Sequence, residues 1–153
     1  MKFLADHMHG SLTRWLRFFG FDTAYPQVLP DEKLIAIAKR EGRILLTRDK
    51  DLARVKGIEA LYIESTDLEE QLVQVIARFN LKITKAFSRC SICNSILTKV
   101  KKTHVKGKVP EKVYAWQDEF WKCEKCDKYY WQGTHFKGIK DKLDELKRKT
   151  SAT

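Results

Sequence analysis

The chain has 153 residues, 43% of them apolar, which allows one ordinary domain or two small ones and argues against global disorder. No apolar run approaches the roughly 18 residues that cross a bilayer, and Asp6 and His7 come too early for a signal peptide, so we expect a cytoplasmic protein without membrane contact. The net charge of +10 is uneven: residues 1–85 carry 14 Lys/Arg and 12 Asp/Glu, whereas residues 86–153 carry 16 and 8. The basic second part indicates a polyanionic partner or, alternatively, a lysine-rich surface that keeps the protein soluble.

Residues 1–80 alternate short apolar segments with amphipathic ones, which is typical of a parallel sheet with helical crossovers. The apolar segments predict strands over 2–5, 21–25, 44–46 and 60–63. Helical spacing predicts helices over 10–19, from Pro30 to the residue before Gly42, in a short turn after Asp49, and from the capping box of Thr66 and Glu69 to about Asn80. The predicted fold class is therefore α/β, a parallel sheet flanked by helices.

Acidic side chains follow two of the predicted strands and open one of the predicted helices. Asp6 ends the first strand, and Asp49 follows the third with Asp51 beside it. Asp31 opens the helix that leads to the third strand. Because the carboxyl ends of parallel strands share one edge, where open α/β sheets bind ligands, we expect Asp6, Asp31 and Asp49 to share a divalent cation suited to phosphodiester cleavage. The alternative is that Asp31 and Asp49 only cap helices, which leaves Asp6 as a buried acid that needs a partner.

Three arginines lie near the same predicted edge. Arg14 and Arg17 fall outside the apolar stripe of the first helix, so we expect both to face solvent or the site, and Arg48 directly precedes Asp49. Guanidinium groups in these positions could bind RNA phosphate, or they could be ordinary solvated surface.

All four cysteines lie in the second part of the chain, after a predicted linker over 81–88. Cys90 and Cys93 form one Cys-x-x-Cys pair, Cys123 and Cys126 form another, and 29 residues separate the pairs. A cytoplasmic chain keeps its thiols reduced, and four thiolates complete the tetrahedral shell of a structural Zn²⁺ ion. We therefore predict one closed zinc site, with free cysteines or an iron site as the alternatives.

The segment between the two cysteine pairs is rich in lysine. Gly107 and Pro110 are turn signals that predict a hairpin over 97–113, carrying Lys99, Lys101, Lys102, Lys106 and Lys108. Such a cluster can bind RNA phosphate. Three tryptophans could stack exposed bases or instead form a small core around the zinc: Trp116, Trp121 and Trp131. The tail over 139–153 is predicted as a basic segment that is helical or disordered.

Several motifs resemble the Mut-seven C-terminal RNase domain family. They are FLAD at 3–6, GSLTRWLRFFGFDT at 10–23, RILLTRD at 43–49, RCSICN at 89–94, CEKC at 123–126 and YWQGTH at 130–135. The resemblance covers about residues 2–138 and implies a PIN-like nuclease domain followed by a zinc ribbon. It also implies a ribonuclease that depends on Mg²⁺ or Mn²⁺, with Asp6, Asp31 and Asp49 as metal-binding catalytic acids and Asp51 as a nearby fourth.

These observations together predict a PIN-like domain over 1–85, a zinc ribbon over 88–138 and a tail over 139–153. The predicted function is RNA binding with metal-dependent endoribonuclease activity. The first alternative is a non-catalytic RNA-binding module in ribosome or RNA maturation, in which the basic ribbon binds and the acids are remnants. The second is a toxin-type ribonuclease with a neutralising partner, although the sequence shows no partner-binding segment.

Overall fold

The computed structural model describes residues 1–151, apart from the side chains of residues 135, 146, 147 and 149–151. The first part of the chain is a four-stranded parallel sheet with helices on both faces. The strands are β1 (Lys2–Ala5), β2 (Asp22–Ala24), β3 (Ile44–Thr47) and β4 (Ala60–Tyr62). The helices are α1 (Gly10–Phe18), α2 (Asp31–Glu41), α3 (Lys50–Ala53) and α4 (Leu68–Phe79). Every strand and helix predicted for this part is present.

The strand order is β2-β1-β3-β4, and all neighbouring strands are parallel. Successive side chains of a strand point to opposite faces, so the central strands contribute to two cores. Leu4 and Leu45 lie in a cluster with residues of α2 and α3, whereas Phe3 and Leu46 lie in a larger cluster with residues of α1 and α4. The predicted parallel sheet flanked by helices is therefore confirmed, while its PIN-like identity stays a prediction.

The ends of the helices follow from local chemistry. Helix α2 ends at Gly42, whose backbone adopts the left-handed conformation with φ of 63°. Helix α4 begins one residue later than its predicted capping box, because the side chain of Asp67 rather than that of Thr66 accepts a hydrogen bond from the backbone N–H of Glu70 at 2.9 Å. A carboxylate at this position both caps the helix and complements its dipole.

The second part of the chain contains a three-stranded antiparallel sheet in the order β5-β6-β7. Its elements are β5 (Thr98–Val100), a 3₁₀ turn (Lys102–Val105), α5 (Glu111–Trp116), β6 (Phe120–Cys123) and β7 (Lys128–Tyr130). The predicted hairpin over 97–113 is wrong, because β5 pairs with β6 and the 3₁₀ turn and α5 lie between them. Pro110 precedes α5 as its N-cap, a position that suits a residue without a backbone N–H. The five predicted RNA-binding lysines are therefore spread over a strand, a turn and a loop.

Residues 81–88 pack against the first part of the chain instead of forming an exposed linker. Phe87 is buried, and its backbone N–H donates to the carbonyl oxygen of Phe18 at 2.6 Å. Its ring stacks on Phe18 with the ring centroids 5.6 Å apart, and on Trp121 with the centroids 5.1 Å apart. One apolar cluster consequently includes residues of α1, of α4 and of the second part.

The C-terminal helix α6 (Thr134–Ser151) returns to the first part of the chain. Ile139 and Leu143 are buried, and Nζ of Lys142 lies 2.6 Å from the carboxylate of Glu69 on α4. The predicted tail over 139–153 is thus helical through Ser151, and residues 152–153 lie outside the described residues. In the described part of the chain, none of the helices has the length and apolar content that a membrane crossing requires.

Candidate functional site

The two Cys-x-x-Cys pairs come together at one point. The Sγ atoms of Cys90, Cys93, Cys123 and Cys126 all lie within 4.8 Å of one another. The distance between the Sγ atoms is 3.5 Å for Cys93 and Cys123, and 4.0 Å for Cys90 and Cys126. A tetrahedral ion with metal–sulfur bonds of about 2.3 Å separates its ligands by about 3.8 Å, whereas a disulfide brings two sulfurs to about 2 Å. The predicted convergence is confirmed, and the geometry is compatible with a four-thiolate metal shell such as that of zinc.

The thiols of this cluster differ in how readily they ionise. The backbone N–H of Ile92 donates to Sγ of Cys90 at 3.4 Å. Burial opposes ionisation of Cys93, but hydrogen bonds from the side chain and backbone of Ser95 lower the pKa of the Cys93 thiol to about 6. Hydrogen bonding with Cys93, followed by burial, raises the pKa of the Cys126 thiol to about 12. Four thiolates this close would repel one another, so full ionisation of the cluster requires a cation among them.

Arg17 connects the segment of the first cysteine pair to the parallel sheet through hydrogen bonds. Its Nε donates to the carbonyl oxygen of Thr23 at 2.9 Å, and its Nη1 donates to those of Ser91 at 2.8 Å and Ile92 at 3.1 Å. The prediction that Arg17 faces solvent or the site is wrong, because the second part of the chain covers this side of α1 and buries the guanidinium group. Since its donors are directed at three carbonyl oxygens, we do not assign Arg17 to an RNA-binding surface.

Asp6 lies at the carboxyl edge of β1, beside the end of β3, and is only 6% exposed. Its Oδ2 accepts hydrogen bonds from the hydroxyl of Thr47 at 2.7 Å and from the backbone N–H of Arg48 at 3.2 Å. Its Oδ1 accepts one from the backbone N–H of Met8 at 3.1 Å. These donors compensate part of the cost of burying a carboxylate, and they fix its orientation at the edge where ligands of parallel sheets bind.

Asp49 lies just beyond β3 and is the N-cap of α3. Its Oδ1 accepts hydrogen bonds from the backbone N–H groups of Asp51 at 2.9 Å and Leu52 at 3.2 Å. The backbone N–H of Asp49 donates to the Thr47 hydroxyl at 3.0 Å, and that hydroxyl donates to Asp6. The cap expected under the alternative interpretation is therefore present. The second carboxylate oxygen, Oδ2, accepts no hydrogen bond from any residue that the structure describes.

Asp31 and Asp51 are exposed residues in the first turns of α2 and α3, helices that begin at this same edge of the sheet. Among the described side chains, the cysteine cluster is the only group of three or more His, Cys, Asp or Glu whose ligand atoms lie within 4.8 Å of one another. The structure thus links Asp6 with Asp49 through Thr47 but does not bring Asp6, Asp31 and Asp49 to the ligand distances of a single cation. The loop of residues 25–30 places Asp31, and its path is not encoded in the strand and helix pattern.

The sequence-based reasoning missed His9, which lies beside Asp6. The residue is 1% exposed, and neither Nδ1 nor Nε2 forms a hydrogen bond with a described residue. Its Nε2 is 3.8 Å from Oδ1 of Asp6. Burial lowers the pKa of His9, and the neighbouring Asp6 carboxylate opposes that shift only in part. A neutral imidazole with unused nitrogen atoms therefore adjoins the acid, and its only sequence signal is a histidine three residues after Asp6.

The cations predicted to bind RNA differ in what they contact. Nζ of Lys99 lies 3.0 Å from the carboxylate of Glu119, and Nζ of Lys102 lies 3.5 Å from that of Asp118. Nearby acids thus offset the charge of both lysines. The other predicted cations make no ion pair with a described residue: Lys101, Lys106, Lys108, Arg14 on α1, and Arg48 after β3.

The three predicted base-stacking tryptophans lie in different environments. Trp116 is 84% exposed at the end of α5. Trp121 is half-buried against Phe87, and Trp131 is half-buried with its ring edge-on to Phe120 at a centroid distance of 6.4 Å. The alternative of a small apolar core therefore describes Trp121 best, whereas Trp116 and Trp131 retain accessible surface.

Comparison with known proteins adds evidence for the family. The family model described as the Mut7-C RNAse domain matches residues 1–143, which include the parallel sheet, the edge with Asp6 and Asp49, and all four cysteines. No curated protein and no solved structure matches the chain significantly. The resemblance read from the sequence motifs is confirmed, and the chain belongs to the Mut7-C RNase domain family.

Proposed function

We propose that this protein is an RNA-binding endoribonuclease that depends on Mg²⁺ or Mn²⁺ and hydrolyses phosphodiester bonds at the sheet edge around Asp6. One observation carries the proposal. The buried carboxylate of Asp6 is linked through Thr47 to Asp49 at the carboxyl edge of a parallel sheet, in a chain that belongs to an RNase family. Ligands of open α/β sheets bind at that edge.

The donor set fits a hard divalent cation. Mg²⁺ is usually held by one or two carboxylates, with waters and substrate phosphates completing its shell, so convergence of every nearby acid is not required. Asp49 offers an oxygen without a described hydrogen bond. A carboxylate has about four acceptor positions, and described donors use three of those of Asp6. We assign Asp31 and Asp51 as supporting acids, because both open helices at the same edge.

The residues of the chain would position the reacting groups. A divalent cation bound there supplies an activated water and stabilises charge on the phosphate. Thr47 holds Asp6 and Asp49 in one relative orientation, because its hydroxyl donates to the first and accepts from the backbone of the second. Arg48 orients Asp6 through its backbone N–H, and its guanidinium group is available for a phosphate oxygen.

We further propose that the four cysteines bind one structural zinc ion. A closed shell of four thiolates leaves no position for a reacting water, so this ion takes no part in cleavage. Such sites contribute roughly 10–16 kcal/mol to the folding of small metal-binding units. Through Arg17, the same site would also fix the second part of the chain to the sheet.

The test of the acid assignment is a pair of matched substitutions. Asp49→Asn keeps a side chain that can cap α3 but removes its negative charge, and Asp67→Asn makes the same change at the N-cap of α4. We expect Asp49→Asn to reduce RNA cleavage in Mn²⁺ by at least about 100-fold while RNA binding is retained or tightened. Asp67→Asn should cleave at the wild-type rate. Equal activity of the two variants would contradict the assignment.

A non-catalytic RNA-binding module is the second candidate. Two observations favour it: described residues already occupy both oxygens of Asp6, and Asp31 has no described link to the other acids. This candidate predicts RNA binding that is unaffected by Mn²⁺ and leaves single-stranded and structured RNA intact. The same cleavage assay on wild-type protein separates the two candidates.

A further inference from the structure

A cleft of about 600 Å³ lies between the first part of the chain, which contains the parallel sheet, and the second part, which contains the four cysteines. Residues from α1, from the start of α4, from β7 and from the start of α6 line it. Cavities of about 300–1,000 Å³ hold most ligands of nucleotide size. The volume therefore suits one or two nucleotides of an extended chain.

The charge of this cleft has a single sign. Among the described residues that line it, Arg14 and Lys128 carry the only formal charges, and both are exposed. Neither forms an ion pair with a described residue, in contrast to Lys99, Lys102 and Lys122, which each lie within 4 Å of a carboxylate. Two cations without acidic partners favour an anionic ligand.

Most of the other residues that line the cleft are aromatic. Trp15 and Phe136 are buried and stack on each other with centroids 5.9 Å apart, whereas Tyr129 and Trp131 are half-buried and keep surface toward solvent. Nζ of Lys128 lies 5.8 Å from the centre of the Tyr130 ring. Accessible aromatic rings beside unpaired cations are the combination by which proteins bind single-stranded nucleic acid, through base stacking and phosphate contacts.

The position of the cleft relates it to the candidate acids. Ser11, in the first turn of α1, and Leu68, the first residue of α4, both line it. Helices that follow parallel strands begin at the carboxyl edge of the sheet, so this end of the cleft opens toward the edge that carries Asp6 and Asp49. Lys128 and Tyr129 of β7 also line the cleft.

We propose that this cleft binds an unpaired nucleotide of single-stranded RNA, with its base against Trp131 and its phosphates on Arg14 and Lys128. The strand then continues to the acidic edge, so the cleft selects single-stranded over duplex RNA and places the scissile phosphodiester. This inference rests on the proposed function. An acidic peptide fits the charges but gains less from the aromatic lining, so it is an outcome of the test and not the proposal.

The experiment uses the full chain with zinc and a fluorescein-labelled single-stranded oligoribonucleotide, with a duplex of the same sequence as the second ligand. Anisotropy in the absence of Mg²⁺ and Mn²⁺ measures binding without cleavage. The cleft variants are Arg14→Glu, Lys128→Glu and Trp131→Leu. The matched controls are Lys112→Glu, which reverses an exposed cation of α5, and Tyr114→Leu, which shortens a half-buried aromatic side chain of α5; neither residue lines the cleft.

We expect each cleft variant to weaken single-strand binding by about 5- to 100-fold, the range associated with loss of one stacked base or phosphate contact, while the controls stay within twofold of wild type. Each of the two charge variants should also reduce the slope of log affinity against log salt concentration by about one, which corresponds to the loss of one phosphate contact. The fluorescence of an oligonucleotide that contains 2-aminopurine should be quenched when it binds the wild-type protein. This quenching should be lost in Trp131→Leu. Because Arg14 and Lys128 are exposed, their variants test the cleft even if Trp131→Leu fails to fold.

Three results would overturn the inference: cleft variants that bind like the controls, duplex RNA bound as tightly as single strands, or wild-type protein that binds an acidic peptide but not RNA. The outcome is separable from that of the acid assignment. If the cleft variants bind RNA like wild type but Asp49→Asn loses cleavage, the cleft proposal is rejected and the nuclease proposal is retained. If the cleft variants bind RNA more weakly but Asp49→Asn still cleaves it, the cleft proposal is retained and the acid assignment is rejected.

Discussion

At the scale of single residues, His9 is a buried side chain whose two ring nitrogens have no described hydrogen-bond partner. Such groups cost roughly 1–3 kcal/mol of stability. We therefore expect His9→Leu, a change of similar volume, to leave the free energy of unfolding unchanged or to raise it by about 1 kcal/mol, as measured by urea denaturation. The control is Thr13→Val, which removes a buried hydroxyl that donates to the His9 carbonyl oxygen at 2.8 Å and should cost about 1 kcal/mol. A loss above about 1 kcal/mol in His9→Leu would mean that the imidazole has a stabilising partner.

The positions of Asp6 and Asp49 could be predicted from the sequence, whereas those of His9 and Arg17 could not. An apolar run that ends in an acid defines a strand end, and parallel strands bring such ends to one edge. His9 is buried by the packing of α1 on the sheet, and Arg17 is buried by residues more than 70 positions later in the chain. Helical spacing identifies the side of a helix that faces its own sheet, but not a second surface that a later segment covers.

At the scale of elements, the turn after Cys93 covers the edge strand β2. The Asn94 side chain accepts a hydrogen bond from the backbone N–H of Thr23 at 3.2 Å and donates to the Asp22 carboxylate at 2.7 Å. Arg43 donates to the same carboxylate oxygen at 2.8 Å. Because unpaired edge strands pair readily with other chains, this contact protects the edge as well as joining the two parts.

Asp22 makes this junction pH-dependent. Burial acts in the opposite direction, but the hydrogen bonds from Arg43 and Asn94 outweigh it and lower the pKa of the Asp22 carboxyl below its ordinary value of 3.8. The unfolded chain therefore binds the proton more readily, so the stabilisation is complete above pH 3.8 and is lost as the pH falls through the lower pKa of the folded state.

We expect Asp22→Asn to lower the free energy of unfolding by about 1–3 kcal/mol at pH 7. The difference from wild type should shrink as the pH falls below 3.8. Urea unfolding over a series of pH values measures both effects. Asp141→Asn is the control, since it changes an exposed acid of α6 and should leave the free energy of unfolding unchanged at every pH. A difference between Asp22→Asn and wild type that is independent of pH would contradict a lowered pKa of Asp22 in the folded protein.

The lysine-rich segment illustrates the limit of turn signals at this scale. Gly107 and Pro110 correctly mark a change of direction, but the strand β5 pairs with β6, and 19 residues separate the two strands. A two-strand hairpin was expected because glycine and proline commonly end strands. Cysteine spacing was the more reliable guide, because a shared ion constrains where both pairs must lie.

At the scale of the whole molecule, a single aromatic cluster connects the sheet domain to the cysteine-containing part. Phe18 of α1 stacks on Phe87, and Phe87 in turn contacts Trp121 and Phe136. Composition and charge separate the chain near residue 85, yet the apolar packing crosses that point. The shift in charge therefore does not coincide with a division of the apolar core.

Removal of the proposed zinc ion should consequently destabilise the entire chain. We expect an excess of a strong zinc chelator to lower the melting temperature by at least about 10 °C in one transition, because the cysteine cluster positions the Arg17 contacts and the aromatic cluster. Differential scanning calorimetry measures the number of transitions, and chelator presaturated with zinc is the control. An unchanged transition for part of the chain would show that the sheet domain is stable without the metal site.

The most direct measurement of the central claim is single-turnover cleavage of RNA by the zinc-loaded wild-type protein as Mn²⁺ is varied. Single-stranded RNA in excess protein isolates the chemical step. Buffer freed of divalent ions beforehand, with no chelator added, provides the zero point after zinc loading has been confirmed by elemental analysis. We expect a cleavage rate that rises with Mn²⁺ and saturates, and that falls by at least about 100-fold in Asp49→Asn although the same samples still bind RNA. RNA that is bound but remains intact at every Mn²⁺ concentration would contradict the nuclease assignment and favour the non-catalytic module.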